Sequence, residues 1–303
     1  MRILVAFILL LPFELFGQYV SLQSQYMFNN VALNPAATGS EDALSIIGSF
    51  RAQWVGFPGA PRTQTLTVHA PLKKRNSALG IQLYADQIGV DNATGFYGLY
   101  SYRLKFKKSA LRFGAAGGVT IFQANYSSLD VADAQDQLIA SDAPIGVLPN
   151  CNVGIHWSSK DYFVSISIPQ LLSHVYDGGK FRLRHDFKRY NYLIGGGYNF
   201  TLNNAMQLKP SVLFKYYAAT RPQVDFNVRM QLNPLIDVGV SYRTKEAIIA
   251  LTELRINKQF SFMYSFGMPL NPIAKYSFGS HELSVKYNFR YTPNSANPRY
   301  LGW

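Results

Sequence analysis

An enzyme would need a base, a nucleophile or a set of metal ligands at a working spacing, and the sequence offers five histidines, His69, His156, His174, His185 and His281, with one cysteine, Cys151. The histidines are scattered. None stands in the HExxH spacing by which two imidazoles on one helical face take zinc. His281 and Glu282 are adjacent, and neighbours on a strand point to opposite faces, so they form no dyad with each other. Ser165 or Ser167 with His156 on an adjoining strand would copy the Ser and His pair that some membrane barrels carry, but a serine-rich chain offers such pairings by chance. Cys151 lacks a second cysteine for an internal disulfide or a Cys-based zinc site. The glycines at 114, 117, 118 and 195 to 197 neither follow the phosphate-loop spacing nor open a helix. Inside strands, glycine marks a bend, a bulge or a close approach, so these fit curvature or an inward-packed segment. No catalytic residue, metal ligand or cofactor site is expected.

The elements that would position any such residue are strands, because the dominant signal from Ala43 onward has period two. Val224, Phe226, Val228 and Met230 alternate with Asp225, Asn227, Arg229 and Gln231, and Leu283, Val285, Tyr287 and Phe289 with Glu282, Ser284, Lys286 and Asn288. One face is greasy and the other strongly polar. About fourteen such segments can be read, at 42–55, 62–71, 78–88, 93–107, 109–126, 150–159, 161–169, 189–201, 206–217, 222–232, 235–244, 246–256, 258–268 and 281–291. Most are near the 9 to 11 residues that a tilted strand needs to cross a bilayer. The connections 107–109, 158–161, 202–205, 233–234 and 257–258 are short, whereas the alternate set holds the long ones, 127–149, 170–188 and 269–280, although 218–221 and Lys245 in that set are brief. A soluble sandwich has no reason to sort its loops this way.

Composition points the same way, with 15% charged and 15% aromatic residues, including 20 Tyr and 21 Phe. No apolar run after the first sixteen residues approaches the roughly 20 needed for a spanning helix, so any crossing is made by strands. In hydrocarbon every backbone N–H and C=O must be paired, which forces the sheet to close. Aromatics near segment ends, among them Tyr190, Tyr192, Tyr198, Phe200, Tyr216, Tyr287 and Tyr291, would form interfacial girdles. The predicted fold is therefore all-β, a transmembrane antiparallel β-barrel of about 14 strands with short periplasmic turns and longer extracellular loops. Its rival is a periplasmic or surface β-sandwich with an aromatic core.

Met1 and Arg2, the apolar run Ile3 to Phe13 and then Gly17 have the order of a secretory leader, which assigns 1–17 to a signal peptide. Residues 18–41 are then an N-terminal periplasmic or plug segment, 42–291 the barrel in the cell outer membrane, and 292–303 a periplasmic tail. The net charge of +12 is dispersed among aromatics apart from Lys73-Lys74-Arg75 and the 105–108 run. That fits outer-membrane lipid and its phosphates rather than nucleic acid.

The blocks Gln25-Tyr26-Met27-Phe28-Asn29 and Leu33-Asn34-Pro35-Ala36-Ala37-Thr38-Gly39 resemble the N-terminal signature of the PorP/SprF family of Bacteroidetes outer-membrane proteins. Arg51-Ala52-Gln53-Trp54-Val55-Gly56, Gly59-Ala60-Pro61-Arg62-Thr63 and His69-Ala70-Pro71-Leu72 continue the resemblance in order, and Gly279-Ser280-His281-Glu282-Leu283-Ser284 looks like its C-terminal strand motif. Residues from about 90 to 270 match in pattern rather than in motif. The resemblance implies a part in type IX secretion and, in some relatives, gliding motility. The implied partners are type IX secretion components, the C-terminal domain of a secreted adhesin, and a periplasmic peptidoglycan-linked lipoprotein.

The shared blocks supply the partner-binding or structural candidates Asn34, Pro35, Arg51, Gln53, Trp54, Pro61, Thr63, His281 and Glu282. Arg51 and Gln53 share a face with Ser49 that is expected to be luminal, and Trp54 is expected toward lipid. Arg51 either pairs with a carboxylate such as Asp86 or Glu253 or contacts a partner directly. Gly56 to Pro61 would form the first outer turn, Asn34-Pro35 would organise the approach to the barrel, and His281 with Glu282 would pair across the closing seam. A channel or transporter for small hydrophobic or polar solutes is the alternative function. The sequence leaves open whether the lumen is open or filled.

Overall fold

Alternation closes the sheet. The computed structural model describes residues 23–72, 76–126, 145–177, 180–184, 190–217 and 221–289. The expected leader, Lys73-Lys74-Arg75, His185, Tyr291 and the tail at 292–303 lie outside the described residues.

The strands are Leu44–Ala52 (β1), Arg62–Pro71 (β2), Ser77–Ile88 (β3), Asp91–Lys105 (β4), Ser109–Ala124 (β5), Gly146–Ser159 (β6) and Tyr162–Ile168 (β7). They continue with Ser173–Asp177 (β8), Lys180–Arg184 (β9), Tyr192–Tyr198 (β10), Phe200–Thr201 (β11), Gln207–Tyr216 (β12), Gln223–Gln231 (β13) and Ile236–Arg243 (β14). The last are Ala247–Arg255 (β15), Phe260–Pro269 (β16) and Ser280–Phe289 (β17). Fourteen of them, β1 to β7, β10 and β12 to β17, form one antiparallel barrel. It closes where β1 meets β17, in a register running from Leu44 opposite Phe289 to Ala52 opposite His281. The short β11 extends β10 along β12, and β8 with β9 forms a separate hairpin.

The faces are inverted relative to a water-soluble protein. On β13 the side chains of Asp225, Asn227 and Arg229 are buried, while Phe226 and Val228 are about half exposed, at 53% and 50%. Only lipid makes such an exterior favourable. Closure of the fourteen strands into one barrel excludes the sandwich alternative.

The turns at the end holding both barrel termini, 72–76, 106–108, 160–161, 202–206, 232–235 and 256–259, have at most five residues. The opposite end carries 53–61, 125–145, 169–191 and 270–279 together with three short connections. Two details differ from expectation. Strand β6 begins at Gly146, four residues early, because Pro149 sits inside it opposite Val119 where proline reads as loop. Tyr190 is buried rather than part of a girdle, whereas Tyr198, Phe200 and Tyr216 are exposed near strand ends.

Candidate functional site

The segment Gln23 to Ala43 is rich in Gln, Asn and Ser with three large apolar side chains at Tyr26, Met27 and Phe28, a mixture that suits a polar cavity with greasy inlets. It lies inside the barrel and is buried nearly throughout. Its local fold follows from Asn34: the side-chain Oδ1 accepts the Ala36 N–H at 2.8 Å, and Pro35 starts the 3-10 helix Pro35–Ala37, where its missing N–H costs nothing. A second turn, Asn30–Ala32, precedes it.

The segment makes one descending circuit of the inner wall. It starts in the half nearer the long loops, where Gln23 donates to Thr65 of β2 and the Glu282 carboxylate of β17 accepts the backbone N–H groups of Ser24 and Gln25 at 2.6 and 3.2 Å. Gln25 also donates its amide to the Glu282 carbonyl at 2.7 Å. Tyr26 bonds to Asn227 of β13, and the Arg229 guanidinium lies 4.8 Å from the centre of the Phe28 ring. Tyr26, Met27, Phe28 and Leu33 join Leu193, Leu213, Ile249, Leu251 and Met263 in a buried cluster, each large side chain contributing roughly 1.5–3 kcal/mol. Beyond them the Ser167 hydroxyl donates to the Leu33 carbonyl, Ser101 to that of Thr38, and the Gly39 N–H donates to His69 Nδ1. The circuit ends on ion pairs of Glu41 with Lys286 and of Asp42 with Arg103. Burial alone would raise the Glu41 carboxyl, but the adjacent Lys286 ammonium outweighs it and holds the group below the ordinary value.

Two glycines make room for the Asn-Pro turn. A Cβ on Gly114 would fall 2.0 Å from the Ala36 nitrogen, and one on Gly154 would fall 2.0 Å from Asn34 Oδ1. Asn34 Nδ2 then reaches the Ile155 carbonyl at 3.0 Å, Ser165 Oγ at 2.8 Å and the Ile166 carbonyl at 3.2 Å. Ser165 and Ser167, the serines that could have served a nucleophile's role beside His156, are thus engaged by the N-terminal segment. His156 itself is buried against the Phe163 ring. Among the described residues no cluster of three or more His, Cys, Asp or Glu could hold a metal.

The candidates from the sequence separate into groups. Arg51, Gln53, Thr63 and Glu282 are buried on the inner wall near the long loops. Arg51 Nε lies 3.9 Å from Glu282, its register partner, a carboxylate beyond the two expected ones. Asp86, which feels the Arg51 charge, accepts the Thr63 hydroxyl at 2.6 Å, and Glu253 pairs with Arg255. Asn34 and Pro35 sit on the far wall. Gln53 donates its N–H to the Pro61 carbonyl at 2.9 Å, closing the first outer loop, and Trp54 donates its N–H to Ser280 Oγ from a backbone with φ of +45°. His281 is not part of the luminal group: it faces outward and bonds Tyr264 at 2.7 Å. The seam is therefore bridged by Glu282 and Arg51, without His281.

A charge ladder on β12 to β15 was not anticipated. Near the long loops Asp225 holds Lys215 at 2.7 Å and Arg243 at 3.3 Å, and Arg243 reaches Glu246 at 3.0 Å. Near the short turns Asp237 holds Lys209 and Arg255. The polar alternates did mark these side chains as inward; their partners depend on inter-strand register. At the rim, burial would raise the Glu246 carboxyl, but Arg243 and the Gln223 amide bring it down to about 2. A carboxyl lowered on folding stabilises above its unfolded value near 4.3 and loses that contribution as pH falls toward 2. The destabilisation caused by Glu246→Gln is accordingly expected to be full at pH 7 and to fade between about pH 4.3 and 2, read by tyrosine-fluorescence melting of both forms.

The long-loop rim is shaped and apolar. Val55 exchanges backbone hydrogen bonds with Gly279 and Phe278, tying the 53–61 and 270–279 loops together. Phe278, 80% exposed, lies over Gly56, whose φ of +95° keeps a side chain out. Phe57 and Tyr276 are exposed beside it.

Solved structures with similar folds include the CymD monoaromatic hydrocarbon channel, 11% identical over 91% of this chain and 94% of that one with a TM-score of 0.53. The outer membrane protein Omp33 of Acinetobacter baumannii is 10% identical over 83% of this chain and 100% of its own, TM-score 0.49. At such identities the likeness is of fold alone. No curated protein matches in sequence. A family profile described as type IX secretion system membrane protein PorP/SprF matches residues 15–287.

Proposed function

Because the chain belongs to the PorP/SprF family of type IX secretion system membrane proteins, we propose that it is a non-enzymatic outer-membrane scaffold which holds a secreted surface protein at its long-loop rim. The observation that carries this reading is the lumen filled by the protein's own residues 23–43, which leaves recognition to the two ends of the barrel. At the outer end the tied loops present Phe57, Tyr276 and Phe278, and a rigid aromatic surface is the kind that anchors protein interfaces. The partner there is the C-terminal domain of an adhesin, with gliding motility as one outlet. At the inner end the short turns and the C-terminal tail meet a peptidoglycan-linked lipoprotein. A leader of residues 1–17 is removed on export.

The full chain is expected to give no steady current in planar bilayers. A photo-crosslinker at Phe278 or Phe57 in cells is expected to capture a secreted protein, identified by mass spectrometry, while one at the lipid-facing Val228 does not. Solute-dependent conductance by the isolated barrel would favour the channel reading, and capture of no secreted or type IX component would count against the scaffold.

A further inference from the structure

On the outer wall a groove of about 840 Å³ crosses the sheet, walled by Val68, Leu79 and Ile81 and floored by Gly98, Ala115 and Gly117. Its floor is open: a Cβ on Gly117 would meet nothing within 4 Å, and one on Gly98 only the Gly117 carbonyl at 3.8 Å. A volume in this range suits one small ligand or a lipid chain. Tyr100 borders it with its hydroxyl satisfied by Ser77, so the lining offers apolar contact rather than polar recognition.

The polar counterpart lies below. Strand β4 runs from Tyr100 to Lys105 and into the exposed turn residues Lys107 and Lys108. Lys105 continues the luminal alternation of Ser101 and Arg103, and neither turn lysine makes an ion pair among the described residues. The five positions from Tyr100 to Lys105 span about 17 Å at ~3.4 Å per residue, or about 13 Å along the membrane normal for a strand tilted by ~40°. That is close to half of the ~30 Å hydrocarbon core, the depth of one leaflet. The groove's border at Tyr100 is therefore within reach of the acyl chain of a lipid whose headgroup meets the two turn lysines, which gives the two halves of a phospholipid site.

We propose that the groove binds an acyl chain of an anionic glycerophospholipid of the periplasmic leaflet, with its phosphate on Lys107 and Lys108. The proposal rests on the orientation used above, with the short turns in the periplasm. A second copy of the chain is the weaker occupant. A two-fold contact through this groove would set one lysine turn against its like-charged mate.

Native mass spectrometry of the full chain released from nanodiscs of equal phosphatidylglycerol and phosphatidylcholine tests this. One phosphatidylglycerol should stay bound. Retention should fall about fivefold for each lysine replaced by alanine, the equivalent of roughly 1 kcal/mol per basic residue at an anionic surface. Gly117→Leu, which fills the floor, should abolish retention with all lysines present, and Gly117→Ala should weaken it. Equal retention of phosphatidylcholine, indifference to both sets of changes, or a protein dimer in place of the lipid adduct would overturn the site. In a separate arm, displacement of phosphatidylglycerol by added lipid A would overturn it through the orientation, leaving the groove itself intact.

Discussion

Gly154→Val opens the barrel to ions. The new Cβ would stand 2.0 Å from Asn34 Oδ1, and neither the strand nor the bonded amide can yield that much while the Asn-Pro turn stays seated. Unseating the turn forfeits three hydrogen bonds of the Asn34 amide, to the Ile155 carbonyl, Ser165 and the Ile166 carbonyl. At about 1 kcal/mol each, with a further 1–2 kcal/mol for polar groups left unpaired, the filled state loses about 4–5 kcal/mol. Its population relative to the open state falls by about 10³ or more, at roughly 1.4 kcal/mol per decade. Single-channel recording should show steady current from the variant and none from the parent, with a heat-modifiable gel band confirming that the barrel has formed. Gly117→Val, whose side chain enters open space on the lipid face, is the matched control and should remain silent. Silent bilayers from a correctly formed Gly154→Val barrel would refute the filling segment as the seal.

Glu282→Ala should release the upper end of the same segment. Its carboxylate is the acceptor for the Ser24 and Gln25 N–H groups and lies 3.9 Å from Arg51, all of them buried. Deleting one member of a buried charge pair costs about 3–5 kcal/mol, since the remaining charge stays in low dielectric with less compensation. Amide hydrogen exchange at Ser24 and Gln25 is expected to accelerate at least about a hundredfold, with exchange across β12 to β15 unchanged. Glu282→Gln keeps one acceptor oxygen and should fall between the two. Combining it with Arg51→Met should cost less than the sum of the single changes, which is the signature of direct coupling. Unchanged exchange at Ser24 and Gln25 in the alanine variant would mean that the clamp contributes nothing.

The strands were legible in the sequence because lipid on one side and a polar interior on the other impose period two on every spanning segment. Phe226 and Asp225 declare their faces without any knowledge of neighbours. The glycines at 114 and 154 show where that reading stops. Glycine in a strand says that something comes close, but Gly114 meets its visitor from a segment about eighty residues earlier in the chain. Leu213, Ile249 and Leu251 are apolar at inner positions, which alternation alone reads as ambiguity; they make sense once Tyr26, Met27 and Phe28 are seated among them. Arg51 lies on the expected face and acts on Asp86, but that Glu282 also stands opposite it is a matter of cross-strand register, which the sequence does not print. His281 and Glu282 were treated as one unit although the same alternation had already put them on opposite sides of the wall.

The contact between Glu282 and residues 24 and 25 joins the two ends of the polypeptide in the order of its synthesis. The earlier segment has no grip on this clamp until the later strand has been made, and the same strand supplies the hydrogen-bonding edge that β1 lacks. A chain broken off before residue 280 would therefore carry both an unclaimed edge and a loose leading segment, two marks by which a protease can tell an unfinished molecule from a finished one.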